Sequence, residues 1–192
     1  QWGSTKWTSM GSAFRGAYNL DVTATDTPDL SRLIDMAYMF MGAKKLIGTP
    51  SMGEWDTRGV VHMSGMFSNA DLFNQPIGNW DTSAVVRMSQ MFADATTFNQ
   101  SIGGWDTGNV TNMSHMFSRA TTFNQPLDTW DTSNVTNMSH MFSYTPSFNQ
   151  PLDTWNISRV TDMTDMLNSS KLSITNYDKT LLGWSIQAVQ PD

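Results

Sequence analysis

The chain restates itself at a fixed step, and that step constrains the fold more than any other feature. Trp130-Asp131-Thr132-Ser133-Asn134-Val135-Thr136-Asn137-Met138-Ser139-His140-Met141-Phe142 repeats, nearly word for word, the stretch from Trp105 to Phe117. The same words run from Trp80 to Phe92, from Trp55 to Phe67 and, decaying, from Trp155 to Leu167. The column Met63, Met88, Met113, Met138, Met163 advances by 25 residues each time. Such self-similarity marks a protein of stacked coils, in which no unit buries its apolar face alone and each is covered by the next.

Two fainter coils come first. Met10, Phe14, Ala17 and Leu20 match Met36, Phe40, Ala43 and Leu46 at a spacing of 26, and those match Met63, Phe67, Ala70 and Phe73 at 27. Trp2 falls in the tryptophan column. The reading is one domain of about seven coils: irregular coils over 1–54, with the extra residues in a loop near Thr49 to Glu54, regular coils over 55–167, and a C-terminal cap and tail over 168–192.

All ten Phe fall in two columns, 14, 40, 67, 92, 117, 142 and 73, 98, 123, 148, and thirteen of the fifteen Met fall in two more. Side chains filed in this way stack on their own copies in a continuous core. Each large apolar side chain buried contributes about 1.5–3 kcal/mol, so the columns hold the fold, with Met as an adaptable filler.

Within a coil, Val135, Met138, Met141 and Phe142 keep the i, i+3, i+6, i+7 spacing of one face of a short helix. Ser133, or Thr136 with Ser139, would cap its start, and Ala95 and Ala120 let neighbouring turns approach. From Phe123 to Trp130 the apolar spacing shortens, which predicts a brief strand near Leu127 to Trp130. Pro76, Pro126 and Pro151 fit a strand start or a turn. The expected fold is therefore an α/β solenoid, each coil a short helix plus a short parallel strand. After Leu167 the text changes, and Leu181, Leu182 and Trp184 predict a capping helix from about Asn176, followed by a frayed tail or linker stub over Gln187 to Asp192.

Composition narrows the function. The net charge is −6, with Glu54 the sole Glu; an acidic chain is a poor partner for nucleic acid or anionic lipid. The chain has no Cys, and no apolar run long enough to span a bilayer. With no signal peptide, Gln1 reads as the start of a mature product or of an excised piece. No nucleophile stands beside a base, and there is no phosphate loop or zinc spacing, so an enzyme is not expected.

The words W-D-T-S-N-V-T-N-M-S-x-M-F-x-x-A-x-x-F-N-Q-P-L closely resemble a bacterial surface-protein repeat of about 26 residues, a family found in lipoproteins and large cell-surface proteins. Residues 55 to 167 carry the match, and Asn176-Tyr177-Asp178 through Leu181-Leu182-Gly183-Trp184 is similar to the usual end of such arrays. The M-F-x-x-A-x-x-F-N segment is also similar to part of the BspA-like leucine-rich repeats. The resemblance implies a right-handed, leucine-rich-repeat-like solenoid displayed outside the cell, in adhesion. It carries over no catalytic or ligand residues.

Several columns admit two readings. Trp55, Trp80, Trp105, Trp130 and Trp155 are either core or an exposed aromatic ladder for sugars or peptide side chains; a file of exposed Trp would be an unusually large apolar patch, which favours core. Asp56, Asp81, Asp106 and Asp131 would repel if stacked. Either each carboxylate accepts N–H groups of its own turn or cations lie between them. The turn reading leads, because an EF-hand or calcium-nonapeptide spacing is lacking; no cofactor is expected, and calcium is the alternative. The Asn and Gln columns at 74, 99, 124, 149 and 75, 100, 125, 150 are expected to satisfy backbone groups, and His115 can face His140 across coils. Thr57, Thr82, Thr107 and Thr132 could order water as an ice-binding rank, a reading weakened by the missing Thr-x-Thr pairs.

The slots that differ from coil to coil point to the ligand face. They are His62, Arg87, Asn112, Asn137, Asp162; Gly65, Gln90, His115, His140, Asp165; and Asn69, Asp94, Arg119, Tyr144, Ser169, all expected on the solvent side of the helices. The expected binding surface is the opposite, strand side, carried by Asn79, Asp81, Asp106, Asp128, Thr129, Asp131, Asp153 and Thr154. The function expected is a non-enzymatic module of a cell-surface adhesin, monomeric within a larger chain, that takes an extended peptide or glycan of a host or neighbouring cell. The alternative is a passive spacer.

Overall fold

An α-helix satisfies its N–H groups from within, four residues back; the segment expected to be helical does something else. In the computed structural model, which describes residues 1–187, the N–H groups of Met138, His140, Phe142 and Tyr144 donate to the carbonyls of Asp162, Thr164, Met166 and Asn168 on the next coil. The residues between them close turns within the coil: Met141 N–H donates to Met138, Ser143 to His140 and Thr145 to Phe142. The same four-bond ladder recurs at every junction from Met10 onward, at 2.7–3.1 Å.

The expected strand is also absent. Trp130 N–H donates to the Leu127 carbonyl at 3.2 Å, so Leu127–Trp130 is a turn, repeated at Ile77–Trp80, Ile102–Trp105 and Leu152–Trp155. Parallel pairing occurs instead as isolated bridges just before each Met: Asp35 to His62, His62 to Arg87, Arg87 to Asn112, Asn112 to Asn137 and Asn137 to Asp162. The α/β solenoid of helix-plus-strand, leucine-rich-repeat-like coils is thus overturned. Apart from a short 3-10 turn at Pro50–Glu54 and one helix, α1 (Ile174–Ser185), the described chain is built from turns and single bridges.

Spacing explains why. Like rings lie 5.5–6.5 Å apart along the three aromatic columns, as in Phe92 on Phe117 and Trp105 on Trp130. A helix with its side chains is about 10 Å across and cannot stack at that rise. The turn-built backbone can, because alternate N–H groups are left for the neighbour.

The core fills the inside of the coils. Phe67, Phe92, Phe117 and Phe142 each lie face to face with the second-column Phe of the same coil, at 3.9–4.0 Å. Both Phe columns from Phe40 to Phe148 and the Met columns from Met36 to Met141 are fully buried. Trp80, Trp105, Trp130 and Trp155 are buried too, and each indole N–H donates to a carbonyl 28 residues earlier, on Met52, Ile77, Ile102 and Leu127.

Polar columns finish the stack. Asn74 Oδ1 accepts from the Asn99 N–H and the Gln100 amide, and Asn99 and Asn124 repeat this one coil on. The threonine rank at 57, 82, 107 and 132 is buried, each hydroxyl donating to the carbonyl of Asp81, Asp106, Asp131 or Asn156, so it offers no flat hydroxyl surface to water.

α1 closes the far end, and of the three residues expected to cap it only Trp184 lies on its inner face. Asn176, Thr180 and Trp184, spaced four apart, meet the last coil: Asn176 Nδ2 donates to Asn149, Leu152 N–H donates to Thr180 Oγ1, and Trp184 Nε1 donates to the Leu152 carbonyl. Trp184 therefore stands in for the next tryptophan of the column, as expected of the cap, but Leu181 and Leu182 are exposed. Gly183 allows the close approach, since a Cβ there would overlap the Asp153 backbone. Gln187, placed at the start of a frayed tail by the sequence, accepts from Ile157 N–H through its side chain; the rest of that tail lies outside the described residues.

Candidate functional site

A chain that turns twice per coil without helical bonds needs residues with positive φ. Each coil has two, four apart. Eleven non-glycine residues of the described chain have φ between +53° and +59°, and all eleven fall in two columns: Ser12, Tyr38, Gln90, His115, His140, Asp165 and Asn69, Asp94, Arg119, Tyr144, Ser169. Gly65 fills the gap in the first column, and Gly16 and Gly42 begin the second. Type II turns demand this conformation at their third residue, where Gly or Asn is the cheap choice; a larger side chain there costs about 1 kcal/mol or more.

These strained columns are two of the three variable rows found in the sequence. The structure puts them side by side along a groove of about 480 Å³, lined among others by Asn69, Asp94, His115, Arg119, His140 and Tyr144. A second trough of about 460 Å³ lies on the other side of Arg119 and Tyr144, floored by Thr96, Thr121 and Pro146. The two side chains form a crest between the troughs, with the Arg119 guanidinium over the Tyr144 ring at 5.5 Å. The third variable row, His62 to Asp162, is the bridge column itself.

His115 and His140 do face each other: their rings stack at 4.5 Å and 13°. Burial at the groove, and then the neighbouring His140, hold the His115 imidazole below its ordinary value. His140 Nδ1 lies 3.8 Å from Asp165 Oδ2. The chemistry on offer is hydrogen bonding and stacking.

The residues nominated from the sequence lie elsewhere, at the corner around the Trp turns. Asn79, Asp81, Asp106, Asp128, Thr129, Asp131 and Thr154 are exposed there, and Asp153 is half-buried, 3.4 Å from Lys179. Their oxygens are largely engaged in the stack. Asp81, Asp106 and Asp131 each accept the N–H two residues on, from Ser83, Gly108 and Ser133. Hydrogen bonds from Ser83 and Ser133, side chain and then backbone, hold Asp81 and Asp131 below the usual carboxylate range. Thr129 and Thr154 donate to the carbonyls of Gly103 and Asp128. Among the described residues no three of His, Asp and Glu come together in a way that could hold a metal ion.

One signal for the groove stands in the sequence itself. Eight of the fourteen residues in these two slots are Gly, Asn, Asp or His, the types that best tolerate positive φ. Reading them as exposed positions on a helix hid it.

A family model described as Mycoplasma protein of unknown function, DUF285, matches residues 8–107 and again 77–184. The overlapping matches fit an array of repeats, and the description names neither lipoproteins nor leucine-rich repeats. Neither the curated proteins nor the solved structures contain a match. Among the described residues no helix is long and apolar enough to cross a membrane.

Proposed function

The chain belongs to this bacterial repeat family, DUF285, and we propose that it is a non-enzymatic binding module displayed at the cell surface, within a lipoprotein or large surface protein that acts as an adhesin. It takes an extended ligand along the crest and troughs of the left-handed columns. One observation carries this reading. In the second strained slot the first coils keep Gly16 and Gly42, whereas the later ones hold Asp94, Arg119 and Tyr144; the first slot carries a side chain in every coil but that of Gly65, with His115 and His140 beside the crest. Strain retained under solvent-facing side chains supports a role for those side chains. The nominated corner around Asp81, Asp106 and Asp131 is a second surface, and its carboxylates already have local work.

The test uses glycine, which suits the backbone. His115→Gly, Arg119→Gly, His140→Gly and Tyr144→Gly together are expected to keep or raise the melting temperature and to abolish binding to the hits of a combined glycan and peptide array. Asp106→Arg with Asp131→Arg is expected to leave those hits unchanged. The reverse pattern would move the site to the corner, and an array without hits would leave the chain as a spacer.

A further inference from the structure

We infer that the ligand of the crest is a neutral glycan, held with a pyranose face against Tyr144 and its hydroxyls between Asp94 and Arg119. This rests on the binding-module reading above and names the chemistry of the same site.

The first argument is the set of groups left unused. Tyr144 is about half exposed (52%). Neither the Asp94 carboxylate nor the Arg119 guanidinium has a side-chain hydrogen bond or ion pair among the described residues, although they occupy neighbouring coils of one column. Arg119 is nonetheless held in place by the Tyr144 ring. An acceptor, a planar donor fork and an aromatic platform thus stand in one row. Vicinal sugar hydroxyls both donate and accept, so they satisfy the two side chains together, while the ring C–H face covers the aromatic.

The second argument is the floor. Thr96 and Thr121 donate their hydroxyls back to the carbonyls of Asp71 and Thr96 at 3.2 Å, which leaves methyl groups, with the Pro146 ring, to line the trough. A mostly apolar trough with a few placed polar groups is the usual character of a small-molecule subsite. Because the troughs run along the stack on both sides of the crest, an unbranched chain of several sugar units fits better than a single one.

The third argument counts against strand-adding peptides and acidic glycans. Peptides that add a strand need free backbone N–H groups on a sheet edge. Here the N–H groups of Asp94, Arg119 and Tyr144 already donate to Ser118, Ser143 and Asn168, and the carbonyls of Gln90, His115 and His140 already accept. Acidic glycans would face Asp94 and Asp165 in a chain of net charge −6.

The experiment titrates the whole chain, by calorimetry and by affinity electrophoresis, with unbranched neutral polysaccharides (glucans, mannans, galactans, xylans), with hyaluronate and alginate as acidic glycans, and against a peptide array. At least one neutral glycan is expected to bind. Tyr144→Phe should bind like the natural chain, whereas Tyr144→Asn should lose about tenfold or more. Asn tolerates the positive φ at this position, and an unchanged melting curve separates lost binding from lost fold. Arg119→Gly and Asp94→Asn should each weaken binding as well. Binding confined to acidic glycans or peptides would overturn the inference and leave the binding-module reading standing. Neutral-glycan binding indifferent to Tyr144→Asn would overturn the placement, and no binding to any probe would sink both readings.

Discussion

The first two coils and the later ones share a core pattern but not a step, and the difference shows what an even step contributes. From Trp55 onward each coil advances by 25 residues, and every column meets its own copy. Trp80, Trp105, Trp130 and Trp155 all find a carbonyl for the indole N–H. Trp2, Trp7 and Trp55, in or beside coils with steps of 26 and 27, have buried indole N–H groups without a partner among the described residues. The backbone ladder survives the longer steps, since Met10, Ser12, Phe14 and Gly16 still donate to the second coil. The indole bonds are what the longer steps lose, since Asp21 Oδ1 still accepts the N–H groups of Ile47 and Gly48 across them. In the second left-handed slot alone the early coils avoid strain that the later ones accept, with Gly16 and Gly42 opposed to Asp94, Arg119 and Tyr144; in the first slot Ser12 and Tyr38 are as strained as His115.

The largest expected effect separates the two regions through their rings. Phe117 is fully buried and stacks on Phe92, Phe123 and Phe142. Phe117→Ala should cost about 3–5 kcal/mol, because the cavity opens in the middle of a continuous file. Phe14 is half-buried and stacks on Phe40, with Trp2 at its edge. Phe14→Ala should cost about 1–2 kcal/mol. Denaturant midpoints of the two variants, read with the slopes, check this; equal losses would mean that the stack does not transmit burial along its length.

The next effect is smaller and isolates register. In Trp130→Phe the Ile102 carbonyl loses one of its two donors and keeps the Trp105 N–H, which adds about 0.5–1.5 kcal/mol to the lost area. Trp55→Phe removes an N–H that has no partner, so only the packing change remains. Melting temperatures should fall clearly further for Trp130→Phe. The opposite order would show that the unpaired indole is not a cost of the uneven step.

Much of this was legible in the sequence. Columns of Trp, Phe, Met, Asn and Thr were written out by the repeat, and they stack where the repeat placed them. The secondary structure was not legible, for a physical reason. The i, i+3, i+6, i+7 spacing of Val135, Met138, Met141 and Phe142 is what a helix face produces, and it is equally what a run of four-residue turns produces. What distinguishes them is the rise between coils, which only the packed rings reveal. The cap was legible as a helix, but its inner face is Asn176, Thr180 and Trp184, chosen by hydrogen bonds to the last coil rather than by hydrophobicity. The groove was half legible: its variable rows could be named, and the Gly, Asn, Asp and His in them point to a left-handed backbone once the helix is set aside.

The smallest expected effect concerns protons, and it belongs to the later coils alone, since the earlier ones carry Ser12, Tyr38 and Gly65 in the slot where these carry His115 and His140. His115 is held below its ordinary value of 6.5, first by burial and then by His140. On acidification the unfolded chain therefore takes up the proton before the folded one does. Between the ordinary value and the lowered folded one the unfolded state holds more protons, so stability falls as pH drops and rises as pH climbs back. Asp81 and Asp131 are also held below their ordinary 3.8, so their loss begins only in a more acid window. The ring remains partly solvated, so the histidine step should be slight, at most about 2 °C in Tm on going from pH 7 to 5. His115→Asn keeps a residue that tolerates φ near +55° and should flatten the profile in that interval while leaving the more acid fall untouched. A profile that kept its slope between pH 7 and 5 in the variant would place the titrating group elsewhere and free the stacked histidines for the ligand alone.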